Sequence, residues 1–147
     1  MADQTESSVV IDSAPVDVLG VIADFEHYPQ WAAAVKEVQV LERQPDGRPS
    51  RVRFSLDAGA VRDTYSLDYT WDLAEDGTGE LSWTLHESGV MRSMDGSYRL
   101  AARGAGTQVT YRLAIDLRMP MLGLLRRKAE KAIIDTALTE LRKHVES

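Results

Sequence analysis

From Thr64 to Leu73 the chain alternates polar and apolar residues without a break: Tyr65, Leu67, Tyr69, Trp71 and Leu73 fall between Ser66, Asp68, Thr70 and Asp72. A two-residue period puts one set of side chains on each face of an extended strand. This strand would bury a ring-rich face and wet the other. It therefore needs neighbours of its own kind and a second layer over the apolar side. The flanks supply the neighbours. Val38 and Val40, then Val52, Phe54 and Leu56, precede it at the same period, with Pro45-Asp46-Gly47 as the turn between them. Leu81, Trp83 and Leu85 follow after Glu75-Asp76-Gly77. Ser88-Gly89 turns the chain toward Tyr98 and Leu100, and Gly104-Ala105-Gly106 closes a hairpin onto Val109, Tyr111, Leu113, Ile115 and Leu117. Short turns join antiparallel strands.

The second layer comes from the two ends. Val9 to Asp12 reads as a first short strand. Ser13 ahead of Pro15 is a helix start, a hydroxyl able to cap free N–H groups and a proline harmless in the first turn. Val16, Leu19, Val21, Ile22 and Phe25 then make a short amphipathic helix, and Pro29 separates it from a second helical piece running to about Val35 and carrying Trp31. Pro120 opens a helix to about Val145, long enough at ~1.5 Å per residue to cross a whole sheet. Its expected buried stripe is Leu122, Leu125, Ala129, Ile133, Ala137 and Leu141. The predicted fold is α+β: a curved antiparallel sheet of about six to seven strands gripping one long C-terminal helix, with two short helices after the first strand. One domain spans residues 1–147, with residues 1–6 as a loose tail. One helix covers only part of a curved sheet, so apolar room between the two layers is expected.

Composition narrows the function classes. A length of 147 residues is that of one domain, and 44% apolar with 27% charged residues is an ordinary globular mixture. The absence of cysteine removes thiolate nucleophiles, disulfides and cysteine-bound metals, and fits a cytoplasmic location. Seventeen basic against 23 acidic residues give a net charge of −6, which argues against nucleic acid as a partner. No apolar run approaches the ~20 residues needed to span a bilayer, and the polar, acidic start reads as no signal peptide.

Candidate chemical groups are few. His86 has the parity of Ser82 and Thr84 and should face solvent; His27 lies in the helix junction and His144 near the C-terminal helix end. No histidine pair has metal-ligand spacing, so no metal and no cofactor is expected. Glu87 keeps the parity of Trp83 and Leu85, and Asp95 precedes Gly96, a mid-strand glycine marking a bulge or a close backbone approach. With Tyr98 they are the catalytic candidates, because a carboxyl in an apolar pocket has a raised pKa and can move protons near neutrality. The competing reading puts both carboxyls at strand ends in water, with Arg92 free to pair with either. Arg126-Arg127-Lys128 and Lys131 form a basic cluster, either a solvated helix face or a site of transient contact with a membrane surface.

Two stretches go further. Asp24-Phe25-Glu26-His27-Tyr28-Pro29-Gln30-Trp31, with a strand from Val35, is followed much later by Asp95-Gly96-Ser97-Tyr98-Arg99-Leu100, Gly106-Thr107-Gln108-Val109-Thr110-Tyr111 and the Pro120 helix. Together they resemble the polyketide cyclase/dehydrase and lipid-transport family of the START-like (SRPBCC, Bet v I-type) superfamily, over about Val9 to Val145. The resemblance implies a helix-grip fold and a deep apolar cavity for a hydrophobic or aromatic small molecule. Tyr and Trp rings with polar tips suit such a cavity. The expected lining is Trp31, Phe54, Tyr65, Tyr69, Trp71 and Trp83, then Met94, Tyr98, Tyr111 and Leu113, with Leu125, Ala129 and Ile133 from the helix. Two functions fit. One is a carrier or binder of a lipid, acyl, isoprenoid, quinone or polyketide-like molecule, working as a monomer or homodimer. The other is an aromatic-polyketide cyclase or dehydratase using Tyr and carboxyl groups in the same cavity. A protein-interaction or stress-regulator role would require a filled interior.

Overall fold

The computed structural model describes residues 4–57, 62–119 and 123–147. Seven strands form one antiparallel sheet: β1 (Thr5–Ile11), β2 (Val35–Arg43), β3 (Pro49–Asp57), β4 (Arg62–Leu73), β5 (Gly79–Ser88), β6 (Met91–Arg103) and β7 (Gly106–Leu117). Helix α1 (Pro15–Ala23) and a 3-10 helix (Phe25–Gln30) lie between β1 and β2, and α2 (Gly123–Glu146) ends the chain. The strand order is β1-β7-β6-β5-β4-β3-β2. Every neighbour after β2 is also the next strand in sequence. The exception is β1, which α1 and the 3-10 helix carry away to the opposite edge from β2. The expected α+β helix-grip architecture is thus present.

Local boundaries differ from the sequence reading where hydrogen bonding decides them. β1 starts at Thr5, because Thr5 and Glu6 pair with Leu113 and Arg112, so the segment read as a tail to residue 6 is partly strand. Ala14, not Ser13, occupies the N-cap of α1 and makes no side-chain cap. Ser13 is held instead by its backbone, with its carbonyl accepting from Thr107 Oγ1 at 2.7 Å. The second helical piece is the 3-10 helix, which contains Pro29 and ends before Trp31 instead of running on to Val35, and the Tyr28 hydroxyl ties it to α1 by donating to the Ile22 carbonyl. The β4–β5 turn packs on the start of α1. Gly77 there has φ 90°, and a Cβ would lie 2.6 Å from Val16 N.

The long helix is turned about its axis relative to expectation. Its sealed line is Glu130, Ile134, Leu138 and Leu141, while Leu125 and Ile133 are 53% and 43% exposed. Of the expected stripe Leu141 is buried as read, whereas Ala129, Ile133 and Ala137 each fall one residue before the sealed line, and one residue is about 100° of rotation. Pro120 and Leu122 lie outside the described residues. The cause of the rotation is Glu130, which is fully buried. Its Oε2 accepts from the Ile115 N–H at 2.7 Å and its Oε1 from the Thr5 hydroxyl at 2.6 Å. Among the described residues the β1–β7 ladder ends at Thr5 opposite Leu113, and the N–H of Ile115, two positions beyond, donates to the helix carboxylate. A polar residue in an apolar stripe is invisible as a core position to periodicity alone.

Replacing Glu130 leaves a buried N–H and a hydroxyl unpartnered, at about 1–3 kcal/mol each. Glu130→Ala is therefore expected to lower the free energy of unfolding by about 3 kcal/mol in urea titrations, and a loss no larger than that of an exposed control such as Thr139→Ala would refute this role.

Candidate functional site

The inner face of the sheet divides into two parts. α2 packs on β1 and β7. Beneath it Val109, Leu113, Ile134 and Leu141 have no exposure at all. Farther across the sheet, the inward side chains of Tyr65, Tyr69, Trp71, Leu85 and Met94 are only half-buried. The helix covers one side of the concave face, and the 3-10 helix plugs one end of the rest. Phe25, 2% exposed, packs on Tyr69 (ring centroids 4.7 Å apart) and edge-on to Phe54 and Trp71 (6.2 and 6.1 Å). Tyr28 contacts Trp31 at 4.9 Å, and Trp31 stacks on His144 of α2 at 6.0 Å.

Register explains why the rings converge. Tyr98 faces Tyr111 across β6 and β7, with ring centroids 4.7 Å apart. Tyr69 faces Trp83 across β4 and β5, at 5.8 Å. Trp83 faces Gly96 across β5 and β6, and its indole lies over the glycine: a Cβ on Gly96 would sit 2.4 Å from the ring. The indole thereby reaches Tyr98 and Tyr111, at 5.4 and 5.5 Å. Gly96 is a close approach, as one of the two sequence readings had it, with no bulge at its pairing.

Of the expected lining, Phe54, Trp83, Tyr98, Tyr111 and Leu113 are buried on the inner side. Trp31, Tyr65, Tyr69, Trp71, Met94 and Ala129 are half-buried. Trp71 belongs to the rim, where its N–H donates to the Pro49 carbonyl at 2.8 Å and the Arg48 guanidinium lies 5.4 Å over its ring. Leu125 and Ile133 are solvent-exposed on the rotated helix.

Glu87 and Asp95 are in water, as the second of the two readings has it, although Asp95 lies within β6 and not at a strand end. Glu87 is exposed because β5 bulges at His86: Leu85 pairs with Leu67, yet Glu87 pairs with the outward Ser66, so parity flips between them. Asp95 is exposed on the convex face, opposite Thr84 and Ala114. Arg92 pairs with neither and reaches Asp116 at 3.5 Å. Sequence reasoning missed Asp63. It shares the parity of Tyr65, is half-buried, and accepts from the Ser88 hydroxyl at 2.6 Å. The same bulge that expels Glu87 brings Ser88 inward, opposite Tyr65. The strand-end position of Asp63, beside a turn, gave no signal beyond that parity. His27, His86 and His144 are all exposed.

The phenols define the electrostatics. All five tyrosines have raised pKa values, with burial as the largest cause. They also raise one another, and the Asp63 charge adds to the effect on Tyr65. The hydroxyls are therefore neutral, close together and available as donors at any physiological pH. Tyr28 uses its donor on Ile22. The hydroxyls of Tyr65, Tyr69, Tyr98 and Tyr111 make no hydrogen bond among the described residues, and they are not sealed; the sealed, unpartnered side-chain atoms there are Trp83 Nε1 and Arg126 Nε. A depression of about 230 Å³ on the convex face is lined by Ser82, Asp95 and Arg112 and also by Trp83 and Gly96, so it borders the indole's strand position, and one of about 340 Å³ lies between β1 and α2 by Val9, Leu138 and Arg142. Neither is lined by a tyrosine.

A phenol that loses its proton on unfolding but not in the native state makes stability fall as pH rises past its unfolded value near 10. The unfolded state then binds fewer protons, so the sign is unambiguous. Tyrosinate absorbance should stay low in native protein at about pH 11 and appear together with unfolding; tyrosines titrating near 10 in folded protein would contradict their burial.

With this geometry in place, likeness to known proteins becomes informative. Residues 2–146 match the family model for polyketide cyclase / dehydrase and lipid transport. Among solved structures, a START superfamily protein from Mycobacterium smegmatis has TM-score 0.90 at 20% identity, covering 97% of each chain. The protein TTHA0849 from Thermus thermophilus has TM-score 0.78 at 20% identity, again over 97% of each chain. The Zhui aromatase/cyclase from Streptomyces sp. R1128 has TM-score 0.78 at 17% identity, covering 98% of this chain and 93% of that one. No curated protein sequence matches. At these identities the structures speak for the fold, and the family match over almost the whole length speaks for descent: the chain belongs to the polyketide cyclase/dehydrase and lipid transport family.

Proposed function

We propose that this protein binds and carries a hydrophobic small molecule between α2 and the uncovered inner face of β3 to β6. The observation carrying this reading is the contrast across one concave face. Side chains under the helix are sealed, whereas the rings of Tyr65 and Tyr69 beyond it keep accessible surface and hydroxyls with no partner among the described residues. Burying a ligand's apolar area there would contribute about 25 cal/mol per Å², less the entropy of ordering it. The lining residues in this reading are Phe54, Tyr65, Tyr69, Trp83, Met94, Tyr98 and Tyr111, with Ala129 at the helix side. Leu125, 53% exposed and next in sequence to Arg126, Arg127 and Lys128, would serve for brief contact with a membrane during loading.

The second reading, a cyclase or dehydratase acting on a poly-β-ketone, draws support from Asp63. It stands beside Tyr65 on the inner face, where a carboxylate and a phenol could take and return a proton.

Native mass spectrometry of protein purified from its own host tests the carrier: a co-purifying acyl, isoprenoid or polyketide-like species is expected, and a uniformly ligand-free mass would count against it. Trp83→Ala should weaken binding of that species at least several-fold, the more so because its rings meet three tyrosines; Trp71→Ala should act mainly on stability. Equal loss of affinity in both variants would remove the sheet centre as the binding position.

A further inference from the structure

We propose that the indole N–H of Trp83 is the specificity-determining group of this site, selecting ligands whose planar ring system carries a carbonyl or similar acceptor oxygen over plain acyl chains. The inference rests on the carrier reading above and narrows its ligand class. Trp83 is 5% exposed, and its Nε1 is sealed and donates to nothing among the described residues. Buried donors are nearly always paired, so an orphan one requires a reason. Packing is not that reason, because phenylalanine would fill much of the same space without burying a donor. The sheet is also shaped around this indole: Gly96 is the strand partner that admits it, and a Cβ there would lie 2.5 Å from Nε1. Trp71 provides the internal contrast, since its N–H is satisfied by Pro49.

An indole N–H can only donate. Its partner must bring an acceptor, and the inner carboxylates are engaged elsewhere: Glu130 by Thr5 and Ile115, Asp63 by Ser88. Around the indole stand Tyr69, Tyr98 and Tyr111, whose hydroxyls are neutral and unpartnered. Tyr98 and Tyr111 are packed on the indole, so an oxygen reaches Nε1 only by displacing one of these rings, and no hydrogen bond from either hydroxyl among the described residues opposes that displacement. A saturated chain would leave these donors unpaired, whereas a flat ring with an acceptor oxygen would stack on aromatic faces and satisfy the indole.

The test compares 2-methyl-1,4-naphthoquinone with 2-methylnaphthalene and palmitate by calorimetry, on wild type and Trp83→Phe. The chain has no cysteine for a quinone to alkylate. Wild type should bind the quinone about tenfold more tightly than the hydrocarbon, the scale of one added hydrogen bond, and Trp83→Phe should abolish that preference by weakening the quinone several-fold more than the hydrocarbon. Equal affinities in wild type, or equal losses for both probes in the variant, would overturn the proposal. Palmitate binding without either ring probe would also overturn it and leave the carrier reading standing; binding of none would remove both. If Trp83→Phe fails to fold, the indole ¹⁵N–¹H resonance of wild-type Trp83 decides: it should move downfield with the quinone and not with the hydrocarbon, and an unmoved resonance is a refutation.

Discussion

The carboxylate of Glu130 sets the frame for everything else in this fold. A helix lying on a sheet by apolar contact alone can slide and turn at little cost, because dispersion and burial are nearly non-directional. Two hydrogen bonds from one side chain, to Ile115 N–H and to Thr5, are directional. They fix α2 in rotation and in position over β1 and β7. The cost of burying this carboxyl group is offset by the two donors it accepts from, the Ile115 N–H and the Thr5 hydroxyl. With the helix held at that edge, the inner face of the middle strands is left to the rings.

Those rings combine two properties that rarely coexist in a core. Their bodies are apolar and interlock through tilted and edge-on contacts, which stabilises the face without filling it as aliphatic side chains would. Their tips are polar and, for four tyrosines, unpaired among the described residues. An interior built only for stability would use phenylalanine there, and this chain has two Phe against five Tyr and three Trp. Burial holds the phenols neutral, so the site offers hydrogen-bond donors without fixed charge. In the carrier reading that combination would suit a neutral or weakly polar guest better than a free anion, whose desolvation is costly.

The sheet was legible in the sequence because a period of two has few competing interpretations once turns separate the runs. Strand order followed from short connections. The helix was legible as a helix, but its rotation was not, since the residue that fixes it is a glutamate where the pattern called for an alkyl group. The rings of Tyr69, Trp83, Tyr98 and Tyr111 were placed on the inner face by parity alone. Parity failed at Glu87 for one local reason: the bulge at His86 consumes a residue, and everything after it reverses face. The same slip hid Ser88, whose hydroxyl then meets Asp63. A bulge depends on backbone pairing across two strands, which no side-chain pattern within one strand records.

The location of carboxyls bears directly on carrier against enzyme. Had Glu87 and Asp95 both turned inward, two proton-transfer groups would flank any guest, and cyclisation chemistry would be the economical reading. They face solvent, and the inner carboxyls among the described residues are Glu130, with both oxygens engaged in holding the helix, and Asp63 at the rim. A dehydration needs a base to remove one proton and an acid to assist the departing hydroxyl. Asp63 and Tyr65 are the pair that could divide those tasks, and they stand at the end of the ring cluster, not at its centre. A guest seated against Trp83 would be stacked and hydrogen-bonded but distant in sequence register from that pair. In the proposed reading recognition and proton transfer would fall on different parts of the inner face, so binding would need no catalytic group, whereas catalysis would need a guest long enough to reach from one to the other.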